Sequence, residues 1–167
     1  MKELDYMKAA AKVSRKFTRN GGFLTVQHGS TINTMTVSWW NIGYMWAMPV
    51  LTVMVRKSRY TFELLEQAGD FTLSIPAPDL PKKLAEAGRT TGRGTDKISN
   101  LGLNVRDARR TATPVLAIPG VHYECRIALK TAMDDTRMAE NVAKKYSNDD
   151  YHTFYFGEIL ACYKTKK

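Results

Sequence analysis

Cysteine, acidic residues and long apolar runs are all scarce in this sequence. Only two cysteines occur in 167 residues, Cys125 and Cys162. They form no C-x-x-C pair, and no His/Cys cluster has the spacing of a metal site. Both lie in apolar, strand-like stretches and read as buried free thiols, which fits a reducing cytoplasm. No run approaches the roughly 20 apolar residues that a membrane-spanning helix needs. The opening segment MKELDYMKAAAKVSRKF is amphipathic and charged, without the apolar centre of a secretory signal. Internal repeats and low-complexity tracts are missing as well. No Ser-His-Asp order and no carboxylate pair stands out, so no catalytic residue is assigned. His28, His122 and His152 are scattered singly and read as structural.

Acids number 16 against 25 lysines and arginines, a formal charge of +9. Such an excess points to an anionic partner: nucleic acid, a phosphorylated cofactor or a membrane surface. The remaining composition is that of a folded protein, with 44% hydrophobic residues and no signature of disorder. The length suits one domain over 1–167 with a sizeable core.

Periodicity predicts a short helix over residues 5–16. Strands are expected at 23–28, entered through the turn Asn20-Gly21-Gly22, at 33–43 and at 49–55. Gly43 is placed to end or bulge the second of these. A helix over 59–69 follows, with Ser58 and Thr61 available as caps. A strand at 70–76 and a helix at 79–88 come next, the latter with Asp79 as N-cap. The glycine-rich GRTTGRGTDKISNLG, 88–102, reads as loop. Long strands are expected at 122–134 and 151–164, and the polar stretch between them as irregular or part helical. About six strands with no alternating βαβ pattern argue for a mainly β fold, a barrel with peripheral helices.

Three stretches carry chemistry. In VRKSRYT, Arg56, Lys57, Ser58, Arg59, Tyr60 and Thr61 sit at a strand-to-helix corner. A helix N-terminus offers unpaired amides and positive potential, so such a corner suits phosphate. The same residues also suit a capped helix whose cations face water. In NTMTVSWW, alternation puts Thr34, Thr36 and Ser38 on one face and Asn33, Met35, Val37 and Trp39 on the other. The hydroxyl row leaves room and donors for a flat polar ligand; a row facing solvent is the other reading. In GRTTGRGTDK, glycines allow close backbone approach, and Arg89, Arg93 and Lys97 can reach an anion. Trp39, Trp40, Tyr44 and Trp46 suit core packing, an aromatic ligand or a dimer interface.

Taken in order, N-T-M-T-x-S-W, R-K-S-R-Y-T, F-x-L-S-I-P, G-R-T-T-G-R-G-T-D-K, Y-E-C-R-I and F-x-F-G-E-I resemble the flavin reductase-like, FMN-binding split-barrel family, its flavoredoxin-type branch in particular. The resemblance spans about residues 20–163. It implies a Greek-key split barrel that forms a homodimer, with one FMN per protomer near the interface. It implies that Asn33, Thr34, Met35 and Thr36 line the isoalloxazine, with Ser38 and Trp39 nearby. It implies that Arg56, Lys57, Ser58, Arg59, Tyr60 and Thr61 surround the phosphate and ribityl chain, and that Arg93 and Lys97 reach toward flavin or second substrate. The implied activity is an oxidoreductase passing electrons from NAD(P)H through FMN to a flavin or a protein acceptor. The tryptophan-rich WWNIGYMWAM is bulkier than the family's usual stretch, and 133–152 matches no fixed family pattern. Two rivals stand beside this reading. One is a split barrel that holds flavin or haem, or carries electrons, without turnover. The other is a basic barrel that binds nucleic acid by phosphate contacts and base stacking.

Overall fold

The computed structural model describes residues 3–77, 80–146 and 148–166, with side-chain surroundings left out for 15–20. Its helices and strands follow the chain as α1 (Tyr6–Asn20), β1 (Gly22–His28), β2 (Thr31–Val37), β3 (Trp40–Met45), β4 (Met48–Arg56), α2 (Tyr60–Gln67), β5 (Asp70–Pro76), α3 (Pro81–Arg89), α4 (Lys97–Asn100), β6 (Val105–Arg106), β7 (Val115–Leu116), β8 (Gly120–Ala132), a 3₁₀ turn at Asp135–Arg137, α5 (Glu140–Ala143) and β9 (His152–Thr165). Seven strands form one antiparallel sheet in the order β2-β1-β5-β8-β9-β4-β3, and β6 pairs with β7 apart from it. The sheet curls into a split barrel whose free edges are β2 and β3.

The expected strand over 33–43 is therefore two strands at opposite edges of the sheet. The chain passes from one to the other through Ser38 and Trp39, both exposed. Gly43 neither ends nor bulges its strand; it sits inside β3, opposite Val50. The β3–β4 turn puts Trp46 and Ala47 at φ of 51° and 58°, the left-handed region that two-residue hairpins need and that bulky residues disfavour. Strain of this kind displays Trp46 at the hairpin tip, 57% exposed.

Two apolar clusters hold the fold. The first fills the barrel, where Leu24, Leu51, Val53, Leu65, Phe71, Leu73 and Tyr123 are fully buried, and Ala9 and Val13 of α1 close one side. Strand β8 bends around it through register shifts at Glu124/Cys125 and Ile127/Leu129. Gly157 of β9 lets that bend close, since a Cβ there would lie 2.7 Å from the Phe71 ring and from Cys125. Both cysteines are free and buried. Burial raises both thiols, Cys162 to about 12, so each stays protonated and unreactive.

The second cluster lies outside the barrel. Phe23 of β1 packs there against Leu84 and Ala87 of α3, Ile98 and Leu101 at α4, and Leu103, Leu116 and Ile118. This extra layer covers one face of β1 and β2. It has a direct consequence for the hydroxyl row of β2: Thr34 Oγ1 donates to the Leu24 carbonyl at 3.2 Å and lies beside Thr25, and Thr36 Oγ1 donates to the Leu84 carbonyl at 2.5 Å. Asp79, expected as the α3 N-cap, lies outside the described residues; the cap position is Leu80.

Candidate functional site

Strand β2, the end of β4, the start of α2, the end of α3 and the start of β9 converge on a cleft of about 390 Å³. Met35, Trp39, Met54, Arg56, Arg59 and His152 form its walls. A smaller cleft of about 90 Å³ adjoins it, and Met35 and Arg59 line both. Ser58, Tyr60, Thr61, Arg93 and Lys97 belong to the small cleft, together with Arg89 and Gly92.

The basic corner splits into two halves. In one, Arg56 and Ser58 are engaged by a carboxylate of the protein itself. Asp150 accepts from the Ser58 amide at 3.1 Å and from Ser58 Oγ at 2.7 Å, and lies 3.9 Å from Arg56 Nη1. Arg56 also donates to the carbonyls of Asp150 at 2.7 Å and Lys145 at 3.1 Å, with its guanidinium 4.9 Å from the centre of the Tyr146 ring. Asn148 and Asp149 take positive φ, a conformation that Asn and Asp tolerate, and this turns Asp150 back onto the corner. Lys57 is exposed beside them.

In the other half, Arg59 and Lys97 have no carboxylate at hydrogen-bond distance. Arg59 occupies the N-cap position of α2, and no side chain caps that helix. Ser58 is committed to Asp150, and Thr61 Oγ1 accepts from Asn33 Nδ2 at 2.8 Å, so neither caps it as expected. Arg59 donates instead to the Gly88 carbonyl. Lys97 is 5% exposed, and its Nζ donates to the Ala87 carbonyl at 3.2 Å. Burial, with Arg59 nearby, lowers the Lys97 ammonium to about 8; burial also lowers Arg59, against the opposing pull of Asp150. Two partly desolvated cations beside an uncapped helix N-terminus are an arrangement that suits an anion.

Asn33 and Gly92 bring the glycine-rich loop onto this half. A Cβ on Gly92 would lie 2.1 Å from Asn33 Oδ1, so only glycine lets the loop approach this closely. Arg93 is held by Glu63 and lies 5.6 Å from the Tyr60 ring centre. The structure thus brings Met35, Ser58, Arg59, Tyr60, Thr61, Arg93 and Lys97 together around the small cleft, and Met35, Thr36, Ser38, Trp39, Arg56 and Arg59 around the large one. Asn33 is buried behind the small cleft, and Thr34 is buried beneath the outer layer.

Sequence reasoning missed His152 and Asp150. His152 opens β9, its ring centre 5.2 Å from that of Trp39, and its Nδ1 is 2.8 Å from the Tyr146 hydroxyl. Burial lowers it to about 4, aided by Arg56, so it is a neutral imidazole at the cleft wall. The bond to Tyr146 is compatible with the structural reading of His152, and the ring also lines the large cleft. Adjacency of DDYH to a strand start was the available signal. His122 is structural, buried between Ser74 at 2.9 Å and Thr165 at 3.0 Å. Among the described residues no group of three or more His, Cys, Asp or Glu could hold a metal ion, and no helix is long and apolar enough to cross a membrane.

Residues 14–167 match the model of the flavin reductase like domain family, and the chain belongs to that family. It is similar to an uncharacterized protein of Archaeoglobus fulgidus, 25% identical over 138 residues, which cover 83% of this chain and 68% of that one. Its fold is that of the flavoredoxin of Desulfovibrio vulgaris (TM-score 0.68, 23% identity, covering 88% of this chain and 70% of that one). It is also that of the NADH:FAD oxidoreductase of Streptomyces globisporus (TM-score 0.66, 20% identity, covering 98% and 88%).

Proposed function

We propose that this flavin reductase-like chain binds FMN across the two clefts and passes electrons from NAD(P)H to a flavin or protein acceptor. One observation carries the reading: the large cleft, with Met and Trp walls, opens at Arg59 onto a small cationic cleft with an uncapped helix N-terminus. That pairing suits a flat ring system joined to a phosphate. Bound flavin would supply the hydride and electron chemistry. Arg59, Lys97 and the first amides of α2 would hold the phosphate. Thr36, Ser38 and the outward backbone groups of the edge strand β2 would face the polar rim of the ring. Neutral His152, held by Tyr146, would keep its wall uncharged. The lack of an acid-base triad fits such chemistry.

The chain is taken as one cytoplasmic domain that pairs with a second copy. Tyr44, Met45 and Trp46 are 67%, 37% and 57% exposed on β3 and its turn. An exposed aromatic edge of this kind is unusual for a monomer. It also continues from Trp39 at the cleft mouth. Sedimentation at micromolar concentration is expected to give a dimer; a monomer alone would remove this part of the reading.

The experiment is anaerobic mixing of FMN-loaded protein with NADH or NADPH. Loss of flavin absorbance well above the rate of free FMN supports a reductase. Bleaching by dithionite alone would leave an electron carrier, with Trp39, 44% exposed, screening the cleft from nicotinamide. No retained flavin, and no yellow colour on titration, would overturn the cofactor assignment.

A further inference from the structure

Two cations from elsewhere in the chain close the C-terminal end of α3. Lys97 Nζ donates to the Ala87 carbonyl at 3.2 Å, and Arg59 donates to the next carbonyl, that of Gly88. Helix ends leave such carbonyls unpaired and favour positive charge. That role alone would make both residues structural. Both also line the cleft of about 90 Å³. Of the other cations on that cleft, Arg93 is held by Glu63 and Arg89 by Glu86. Arg59 and Lys97 are left without a carboxylate at hydrogen-bond distance.

Lys97 is thus a buried amine, 5% exposed, on the wall of a small cationic cleft. Burial and the charge of Arg59 lower its ammonium to about 8. At pH 7 roughly one Lys97 in ten is then a neutral amine, against about one in three thousand at the ordinary value. Desolvation beside another cation is a general route to a nucleophilic lysine. The neutral amine keeps one N–H on Ala87, and a carbonyl cannot engage its lone pair. The cleft therefore combines a free lone pair with an arginine suited to anions. The electrophile that fits both carries an anionic leaving group beside its carbonyl, which describes an acyl phosphate. The size of the cleft restricts the acyl chain to a short one.

We propose that Lys97 is an acylation site, modified by a short-chain acyl phosphate that Arg59 holds in the small cleft. The Nζ lone pair attacks the carbonyl carbon and forms the amide C–N bond. The C–O bond to the phosphate breaks, its electron pair leaves on inorganic phosphate, and the amine proton passes to that phosphate. Nothing is oxidised or reduced. The product has lost the Lys97 charge and fills the cleft. Resting on the reading that the flavin phosphate meets Arg59 and Lys97, acylation and FMN exclude each other, so the modified chain stays free of flavin.

The test treats the full unliganded chain with acetyl phosphate at pH 7 and follows each lysine by peptide mass mapping. Lys57 is exposed, and Lys130 donates to the helix-end carbonyls of Leu65 and Glu66 outside both clefts. They report an ordinary surface lysine and an ordinary helix-end lysine. Lys97 is expected to acetylate at least about tenfold faster than either, well inside the roughly three-hundredfold gain in its neutral amine. Inorganic phosphate should suppress the Lys97 reaction competitively and leave Lys57 unchanged. Acetic anhydride, which carries no phosphate, should show no such competition. Arg59→Ala should bring Lys97 down to the rate of Lys57, and phosphate competition in the wild type gives the same readout without a variant. A Lys97 rate no higher than that of Lys57, or a fast rate indifferent to phosphate, would overturn the proposal. Saturating FMN is expected to protect Lys97. Bound FMN that leaves the reaction unchanged would overturn the exclusion and move the flavin phosphate elsewhere. Phosphate-sensitive acetylation of Lys97 in a chain that binds no FMN would refute the flavin reading and retain the acylation site.

Discussion

The two halves of the corner Arg56–Thr61 have nearly the same composition and different fates. Arg56 and Ser58 meet Asp150 and so secure the segment before β9. Arg59 and Thr61, three residues further on, line the small cleft with the buried Lys97 and have no carboxylate at hydrogen-bond distance: Arg59 donates to the Gly88 carbonyl and Thr61 accepts from Asn33. A basic corner is therefore not one site. On the proposed reading, the half that is already neutralised is architecture, and the half left with uncompensated positive charge is where an external anion gains most. Desolvated cations without a counter-charge cost stability, and a ligand that supplies the counter-charge recovers it.

Closing the open half gives the largest expected effect. Gly92→Val places a branched side chain against Asn33, where even a Cβ lies 2.1 Å from Oδ1. The loop must move away, with a loss of about 1–3 kcal/mol in stability and of FMN binding by calorimetry. Unchanged FMN affinity in this variant would mean that the loop does not form the phosphate cleft.

Removing the buried charge separates function from stability. Lys97→Met is expected to weaken FMN by roughly ten- to a hundredfold, the worth of a charge-assisted contact. The unliganded variant should melt higher than the wild type, because a desolvated ammonium is gone. A lower melting temperature would show that Lys97 is structural.

The same lysine sets a pH dependence. Its folded value of about 8 lies below its ordinary value of 10.5, so the unfolded chain binds the proton more tightly. The penalty is fully present below pH 8 and fades as pH rises toward 10.5, so the stability of the unliganded protein should rise through that window. FMN affinity should fall over the same range, because the neutral amine no longer pairs with phosphate. Riboflavin affinity should stay flat. A parallel fall for both would place the titrating group near the ring instead.

The smallest effect belongs to the occupied half. Asp150→Asn keeps one acceptor for Ser58 and removes the charge opposite Arg56. The pair is partly exposed, so the cost is about 0.5–1 kcal/mol, read as faster amide exchange over 140–151 with little change in FMN affinity. A tenfold change in affinity would show that the two halves act as one.

Much of the barrel was legible, because strands at 23–28, 49–55, 70–76, 122–134 and 151–164 carry their own apolar patterns and lie within one to two residues of β1, β4, β5, β8 and β9. The break at Ser38–Trp39 was not, since β2 and β3 share one continuous β-prone run and only the sheet edges separate them. Strands β6 and β7, two residues each, are too short to show a period. At the site, alternation sorted β2 into its faces but could not say that α3 and α4 cover the hydroxyl face. Nor could the loop-like run at 88–102 show that its one lysine before ISN becomes buried in α4. Asp150 was illegible for a different reason: its role depends on a contact across about ninety residues, which the turn residues Asn148 and Asp149 do not announce.

The central claim is that Arg59, and not Arg56, meets the flavin phosphate. Dissociation constants of FMN and riboflavin for Arg59→Ala and Arg56→Ala test it most directly, because the two ligands differ only by that phosphate. The account predicts that Arg59→Ala weakens FMN by roughly ten- to over a hundredfold and leaves riboflavin nearly unchanged, while Arg56→Ala shifts both ligands slightly and equally. A selective loss of FMN in Arg56→Ala, with Arg59→Ala neutral, would contradict it.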